Sequence, residues 1–183
     1  MKAVTGFEDE RFALVAIDVQ KKFSESTEGL RMSTPRMLRT LNKAIELFRS
    51  TGNPVIYVMY TGEMYDGHPG IDADGDEFAD GLTPPKEGDP IVCKNGMNAF
   101  TGSGLQDVLD DLGCDSILLG GIVSHCCIAA TYFGAFDLGY SSYILKDGTA
   151  ATERENTEAV ERICRTLTIE DMERNQGFRS RRP

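Results

Sequence analysis

The sequence predicts an α/β fold: a doubly wound, mainly parallel sheet with helices on both faces, in three layers. Two observations carry that expectation. Short apolar runs of strand length alternate along the chain with segments of helical periodicity, the pattern that builds a parallel sheet covered on both sides. At 183 residues the chain is long enough to bury a substantial core without disulfides or metal, and it shows no repeat and no second domain, so residues 1–183 are read as one domain.

Each element has its own signal. Phe12 to Ile17 is an apolar run closed by Asp18 and is read as the first strand. Pro35 to Ser50 is expected to be helical, with Met37, Leu41, Ala44, Ile45 and Phe48 on one face and Gly52-Asn53-Pro54 ending it. Val55 to Tyr60 is the second strand. Residues 61–90 are rich in Gly, Pro and Asp and lack periodicity; a loop of that length in a compact domain is functional or disordered, and a lid or pocket wall is expected. Ile91-Val92-Cys93 is a shorter run closed by Lys94, and Gly104 to Leu112 carries Leu105, Val108, Leu109 and Leu112 at helical spacing before Gly113. Ser116 to Val123 is an apolar strand that should turn into a helix near His125, continuing to Leu138 and stopping at Gly139. Ser142 to Leu145 is another strand. Thr152 is expected to cap a helix running to about Leu167, with Glu155 completing a capping box.

Composition narrows the function classes. A net charge of -10 and an isoelectric point near 4.7 argue against a nucleic-acid partner, because phosphate binding needs a basic face. The one basic cluster is terminal: Arg174, Arg179, Arg181 and Arg182, in a tail over 174–183 read as solvated, with an oligomer contact as the alternative. No apolar run approaches membrane-spanning length, and Glu8, Asp9, Glu10 and Arg11 stand where a signal peptide would be apolar. Five cysteines at irregular spacing form no CxxC pair, which fits a reducing compartment. A soluble cytoplasmic protein with no membrane partner is expected.

The most informative residues are Cys126-Cys127, placed where the fourth strand turns into a helix. Unpaired amides and the positive end of the helix dipole favour a thiolate there. A thiol needs a proton acceptor, a counter-charge and oxyanion donors to hydrolyse anything. In an open parallel sheet the ligand crevice lies beyond the carboxyl ends of the strands, so Asp18, Lys94 and Cys127 could converge. Taken singly, each has a plainer reading: a turn residue, a solvated lysine, a small core side chain. Cys93, Cys114 and Cys164 are read as packing residues.

Asp18-Val19-Gln20-Lys21-Lys22-Phe23, then Lys94-Asn95-Gly96-Met97-Asn98-Ala99-Phe100, then Gly121-Ile122-Val123-Ser124-His125-Cys126-Cys127-Ile128 resemble, in order and content, the isochorismatase-like cysteine hydrolases. The resemblance spans roughly residues 11 to 168 and implies a Rossmann-type three-layer fold. It implies Asp18 as general base, Lys94 as the cation that lowers the thiol pKa and holds the charged intermediate, and Cys127 as the nucleophile that forms a thioester. The backbone amides of Val123 and Cys127 would form the oxyanion hole, and a non-proline cis peptide of the family maps onto Ile122–Val123. Phe23, Tyr60, Phe100, Ser124 and His125 are expected to line the pocket.

No cofactor and no metal are expected. The nicotinamidases of this family hold a metal with an Asp-x-His pair and further histidines; here the matching stretch is Tyr60-Thr61-Gly62-Glu63, and the chain has only His68 and His125. Asp72, Asp74, Asp76 and Asp80 suggest calcium, but Glu77 stands where an EF-hand loop requires Gly. The reading is a cysteine amidohydrolase acting on a small amide, ureide or carbamoyl compound, as a homo-oligomer (dimer or tetramer). The alternatives are vinyl-ether hydrolysis with Asp18 as acid, and a catalytically retired binding or redox-sensing protein.

Overall fold

The computed structural model describes residues 10–61 and 77–174. His68, Asp72, Asp74, Asp76, Arg179, Arg181 and Arg182, and the larger part of the expected lid and tail, lie outside the described residues.

Among the described residues, six strands form one wholly parallel sheet in the order β3-β2-β1-β4-β5-β6. Their ranges are β1 Phe12–Ile17, β2 Val55–Tyr60, β3 Ile91–Lys94, β4 Ser116–Ile122, β5 Ser141–Ala150 and β6 Thr166–Leu167. The chain winds outward from β1 to β3 and then returns to the other side of β1 for β4. The switch point of the sheet therefore lies between β1 and β4, and in open α/β sheets ligands bind beyond the strand ends at such a point.

Alternation along β1 divides the core in two, since successive side chains point to opposite faces. Leu14 and Ala16 join Met37, Leu41, Ile45 and Phe48 of α2 (Glu28–Ser50) and Met172 of α6 (Ile169–Arg174). Ala13, Val15 and Ile17 join Leu105 and Leu109 of α3 (Leu105–Asp111), Tyr132 and Ala135 of α4 (Ala129–Asp137) and Val160 of α5 (Arg154–Ile163). A short helix, α1 (Lys21–Ser24), follows the end of β1. Each fully buried Leu, Ile or Phe in these layers contributes about 1.5–3 kcal/mol. Among the described residues, no helix is long and apolar enough to cross a membrane.

Three elements depart from the sequence expectation. Helix α2 begins at Glu28, ahead of Pro35: the Thr27 hydroxyl accepts the Leu30 amide at 3.1 Å and caps it, and Pro35 is accommodated inside at the loss of one backbone donor. Strand β5 runs past Leu145, because Lys146-Asp147-Gly148 forms a bulge instead of a turn; the register slips between Leu119 and Gly121, and Asp147 sits at φ 58°. The last predicted helix is shorter, and no side chain caps it. Thr152 meets Thr27 hydroxyl to hydroxyl at 3.3 Å. A reciprocal box forms later, between Thr168 and Asp171, where each side chain accepts the other's amide at 3.0 Å and starts α6.

The described part of the long loop returns beside the end of β1. The Ala79 amide donates to Val19 O at 2.9 Å, the Lys21 amide donates to Glu77 O at 3.0 Å, and Asp80 pairs with Lys21 at 3.3 Å.

Candidate active site

Asp18 ends β1 in the left-handed region, at φ 52°, a conformation that Asp tolerates better than most residues. Its amide still makes the last ladder bond, to Val58 O at 2.9 Å, before the chain leaves the sheet. Lys94 ends β3, two strands away, and its side chain crosses the end of β2. The ammonium lies 5.1 Å from the Tyr60 ring centroid and 2.7 Å from Asp18 Oδ2. It also donates to Gly96 O at 2.7 Å and approaches Met97 O at 3.4 Å, so its three N–H groups have three acceptors. Both charged side chains are buried, at 0% exposure for Lys94 and 1% for Asp18. The same carboxylate also meets the Cys127 thiol, so Asp18 stands between the cation and the thiol.

Cys127 enters from the other side of the switch point. β4 comes close to β1 there: a Cβ on Gly121 would lie 2.1 Å from Ile17 O, and Gly121 has φ 123°, so only glycine fits. The Ile122–Val123 peptide is cis. The chain then forms a π-turn over Ser124–Ile128 before α4 begins. Val123 O accepts the amides of Cys126 at 3.0 Å and Ile128 at 3.3 Å, and the Cys127 amide lies between those two in sequence. The predicted helix start near His125 is thus a wider turn, the kind of local defect that recurs at functional sites.

The Cys127 thiol interacts with both Asp18 and Lys94. Burial and then the Asp18 charge push it up to about 12, against the smaller opposing pull of Lys94. This corrects the expectation of a depressed thiol: Lys94 does act downward, but burial and Asp18 outweigh it. Burial also raises Asp18 above the usual carboxylate range, with Lys94 the largest opposing influence. Burial thus works against the charged form of both groups, and Lys94 opposes it at each.

The expected pocket residues divide. Tyr60 and Phe23 meet edge to face with centroids 5.8 Å apart, and Tyr60 stands beside Lys94. Phe100 is a correction: it stacks on Tyr140 at 5.6 Å, and Tyr140 immediately precedes β5, at the amino-terminal edge of a sheet whose site is at the carboxyl edge. Ser124 is a second correction, because it is wholly buried, and its hydroxyl pairs with Thr149 at 3.0 Å and Thr157 at 2.9 Å, anchoring the turn from behind. His125 is exposed on the π-turn. Among the described residues, no group of three His, Cys, Asp or Glu side chains is arranged to hold a metal ion.

Other residues that shape the site carried weaker signals. Thr131, one turn beyond Cys127, is buried and accepts the Ala99 amide at 3.0 Å, tying the segment after Lys94 to α4. Asn98 packs on Gly134, where a Cβ would lie 2.3 Å from its Nδ2. Gln20 is fully buried and bonds Tyr60. A polar residue a fixed step from a nucleophile or a base is a usable hint, but its partner is distant in sequence.

A parallel α/β sheet with a thiol, a carboxylate and an ammonium at its switch point defines the class of protein. The chain belongs to the isochorismatase family of hydrolases, whose isochorismatase domain it matches over residues 12–171. It is 27% identical over 144 residues to the isochorismatase family protein YrdC of Bacillus subtilis, covering 78% of this chain and 75% of that protein. Nicotinamidase 3 of Arabidopsis thaliana is 28% identical over 159 residues, covering 80% of this chain and 77% of the relative. The crystal structure of N-carbamoylsarcosine amidase from Thermoplasma acidophilum superposes with a TM-score of 0.70 at 26% identity, over 86% of this chain and 95% of that one.

Proposed function

We propose that this chain is a cysteine-dependent hydrolase that cleaves the C–N bond of a small amide, ureide or carbamoyl compound through a thioester on Cys127. The observation that carries this reading is the buried Asp18–Lys94 pair at 2.7 Å with the Cys127 thiol facing both charges. The similarity to a nicotinamidase and to an N-carbamoylsarcosine amidase supports the C–N bond as the target.

In the proposed cycle, Asp18 takes the thiol proton as Cys127 Sγ attacks the carbonyl carbon. Its raised affinity for a proton suits that task, and Lys94 keeps the charge of the resulting thiolate and tetrahedral intermediate balanced. The amides of Val123 and Cys127 receive the oxyanion. Collapse breaks the C–N bond, and the proton on Asp18 goes to the leaving nitrogen. Asp18, ionised again, then deprotonates a water that attacks the thioester, and the proton returns to Sγ as the acid departs. Tyr60 and Phe23 form an aromatic wall beside these groups.

Five free thiols fit a reducing, cytoplasmic setting. The exposure of Phe133 and Phe136 on α4 supports a homo-oligomer. A panel of small amides and ureides assayed by ammonia release tests the reaction, with mass spectrometry of the quenched enzyme to find the acyl group. An acylated Cys127 is expected; turnover with no acyl adduct, and with activity retained in Cys127→Ala, would overturn the thioester reading.

A further inference from the structure

We propose that Gln20 is the positioning residue of the site, its side-chain carboxamide standing in for a strand residue so that the ends of β1 and β2, and with them Asp18 and Lys94, are held in one register. This rests on the reading of Asp18 and Lys94 as reacting groups. Asp18 leaves the β conformation at φ 52°, so β1 stops pairing with β2 after the bond from the Asp18 amide to Val58 O. Without a substitute, the Tyr60 amide would lose its partner on that side, and an unpaired buried backbone group is costly; the Tyr60 carbonyl would keep the Lys22 ammonium, which donates to it at 2.6 Å.

Gln20 bonds both groups. The Tyr60 amide donates to Gln20 Oε1 at 2.8 Å, and Gln20 Nε2 donates to Tyr60 O at 3.2 Å, a two-point contact that copies a peptide group. The Gln20 amide donates to Asp18 O at 2.8 Å, which closes the turn that carries the base. Beyond Tyr60, the Thr61 amide donates to Lys94 O at 2.8 Å, and Tyr60 is in register with Lys94 across β2 and β3. A continuous path of hydrogen bonds thus joins the backbone of the base to the backbone of its cation through one side chain that is 0% exposed. Asn is too short to make both bonds, and Met fills the volume but makes neither.

Loss of the clasp frees Asp18 to move from Lys94, whose ammonium stays held by Gly96 and Met97. Asp18 faces Lys94 from β3, Cys127 from the π-turn and Lys22 from α1, and of these charged neighbours Lys94 acts on it most. A carboxylate displaced from the thiol accepts its proton less well and no longer opposes thiolate formation.

The test is Gln20→Met with Gln20→Asn as a second variant. Turnover of an amide is measured together with labelling of each cysteine by iodoacetamide at fixed pH, read by mass spectrometry. We expect kcat to fall by about ten- to a hundredfold with KM changed less than about threefold, and Cys127 to label about threefold faster. Cys114 and Cys164, which are buried, should stay protected and so report that the fold is intact. The labelling arm needs no substrate, so it decides the proposal even if the substrate class is wrong. Unchanged Cys127 labelling in both variants overturns it. So does labelling of Cys114 and Cys164 in step with Cys127 in both, which would make Gln20 a general stability residue.

Discussion

Asp18 and Lys94 leave strands that are not neighbours in the sheet, yet their charged ends meet at 2.7 Å over the end of the strand between them. The reach comes from the length of the lysine side chain and from the left-handed turn at Asp18. The two residues are not equally expendable. Lys94→Met leaves a carboxylate buried without its cation, and breaking a buried pair in that way costs about 3–5 kcal/mol. Asp18→Asn leaves the ammonium with the Gly96 and Met97 carbonyls, so denaturant unfolding should show a clearly smaller loss. Both should lower kcat, Asp18→Asn by about 10²–10⁴-fold as expected for loss of a general base. Equal destabilisation by the two substitutions would refute the asymmetry, and a retained kcat in Asp18→Asn would remove it as the base.

The nucleophile register gives a second expectation. Cys127 interacts with Asp18 and Lys94, whereas the one resolved influence on Cys126 is burial, which raises its pKa. Cys127→Ala should abolish turnover with the unfolding midpoint nearly unchanged, and Cys126→Ala should keep kcat within about threefold. Comparable loss in the two variants would show that the register is off by one residue.

Much of this was legible in the sequence, and the reasons differ by residue. Asp18, Lys94 and Cys127 each follow an apolar run, so the rule that sites gather at the carboxyl ends of parallel strands brings them together before any coordinates. The order of strands and the bulge at Lys146-Asp147-Gly148 depend on tertiary partners: Arg36 pairs with Asp147 at 2.9 Å across 111 positions, and nothing local announces it. The early start of α2 has a local signal, the Thr27 cap, which Pro35 obscures. Local chemistry misled at Phe100 and Ser124. Both stand in the right motifs, but a motif fixes where a Cα lies and not which way a side chain turns; Tyr140 claims one and Thr149 with Thr157 the other. The downward pull of Lys94 on the thiol is legible in the sequence, but the net upward shift is not, for a related reason. Helix starts and cations are visible as residues, whereas burial is visible only when the chain has folded.

The protonation states lead to a pH signature. Asp18 must be ionised to accept a proton, and its folded pKa lies above the ordinary 3.8, so kcat/KM should fall on the acid side at a higher pH than a solvated carboxylate would give. In the free protein the thiol titrates above its ordinary 9.0, so iodoacetamide should label Cys127 slowly at neutral pH, with a rate still rising above pH 9. Fast labelling that levels off between about pH 5 and 7 would instead indicate a thiolate already formed at rest.

A thiol that is deprotonated by a carboxylate needs no Lewis acid to supply a nucleophile. Prolonged chelation should therefore leave hydrolysis intact while a thiol-alkylating reagent stops it, both followed by ammonia release. Activity lost on chelation and restored by zinc, iron or manganese would require a metal in the reaction and would reopen the role of His68.

The last expectation concerns how Lys94 is held from outside the sheet. Its carbonyl partners, Gly96 and Met97, belong to a segment fastened to α4 at two points: the Thr131 hydroxyl on the Ala99 amide, and Asn98 against Gly134. That helix begins just after Cys127, so the segment and the nucleophile share one support. Thr131→Val removes the acceptor but keeps the shape, leaving a buried amide unpaired at a cost of about 1–3 kcal/mol. Gly134→Val forces a side chain into Asn98, and overpacking of that kind costs about 1–3 kcal/mol. Because both disturb the carbonyls that fix Lys94, kcat should drop further than Tm alone predicts, by about tenfold in each, while a core change remote from this segment, such as Ile45→Val in α2, should lower Tm without lowering kcat. The comparison is made at a temperature where all three variants are fully folded by circular dichroism. Equal kcat in the three would show that the segment positions nothing and only packs.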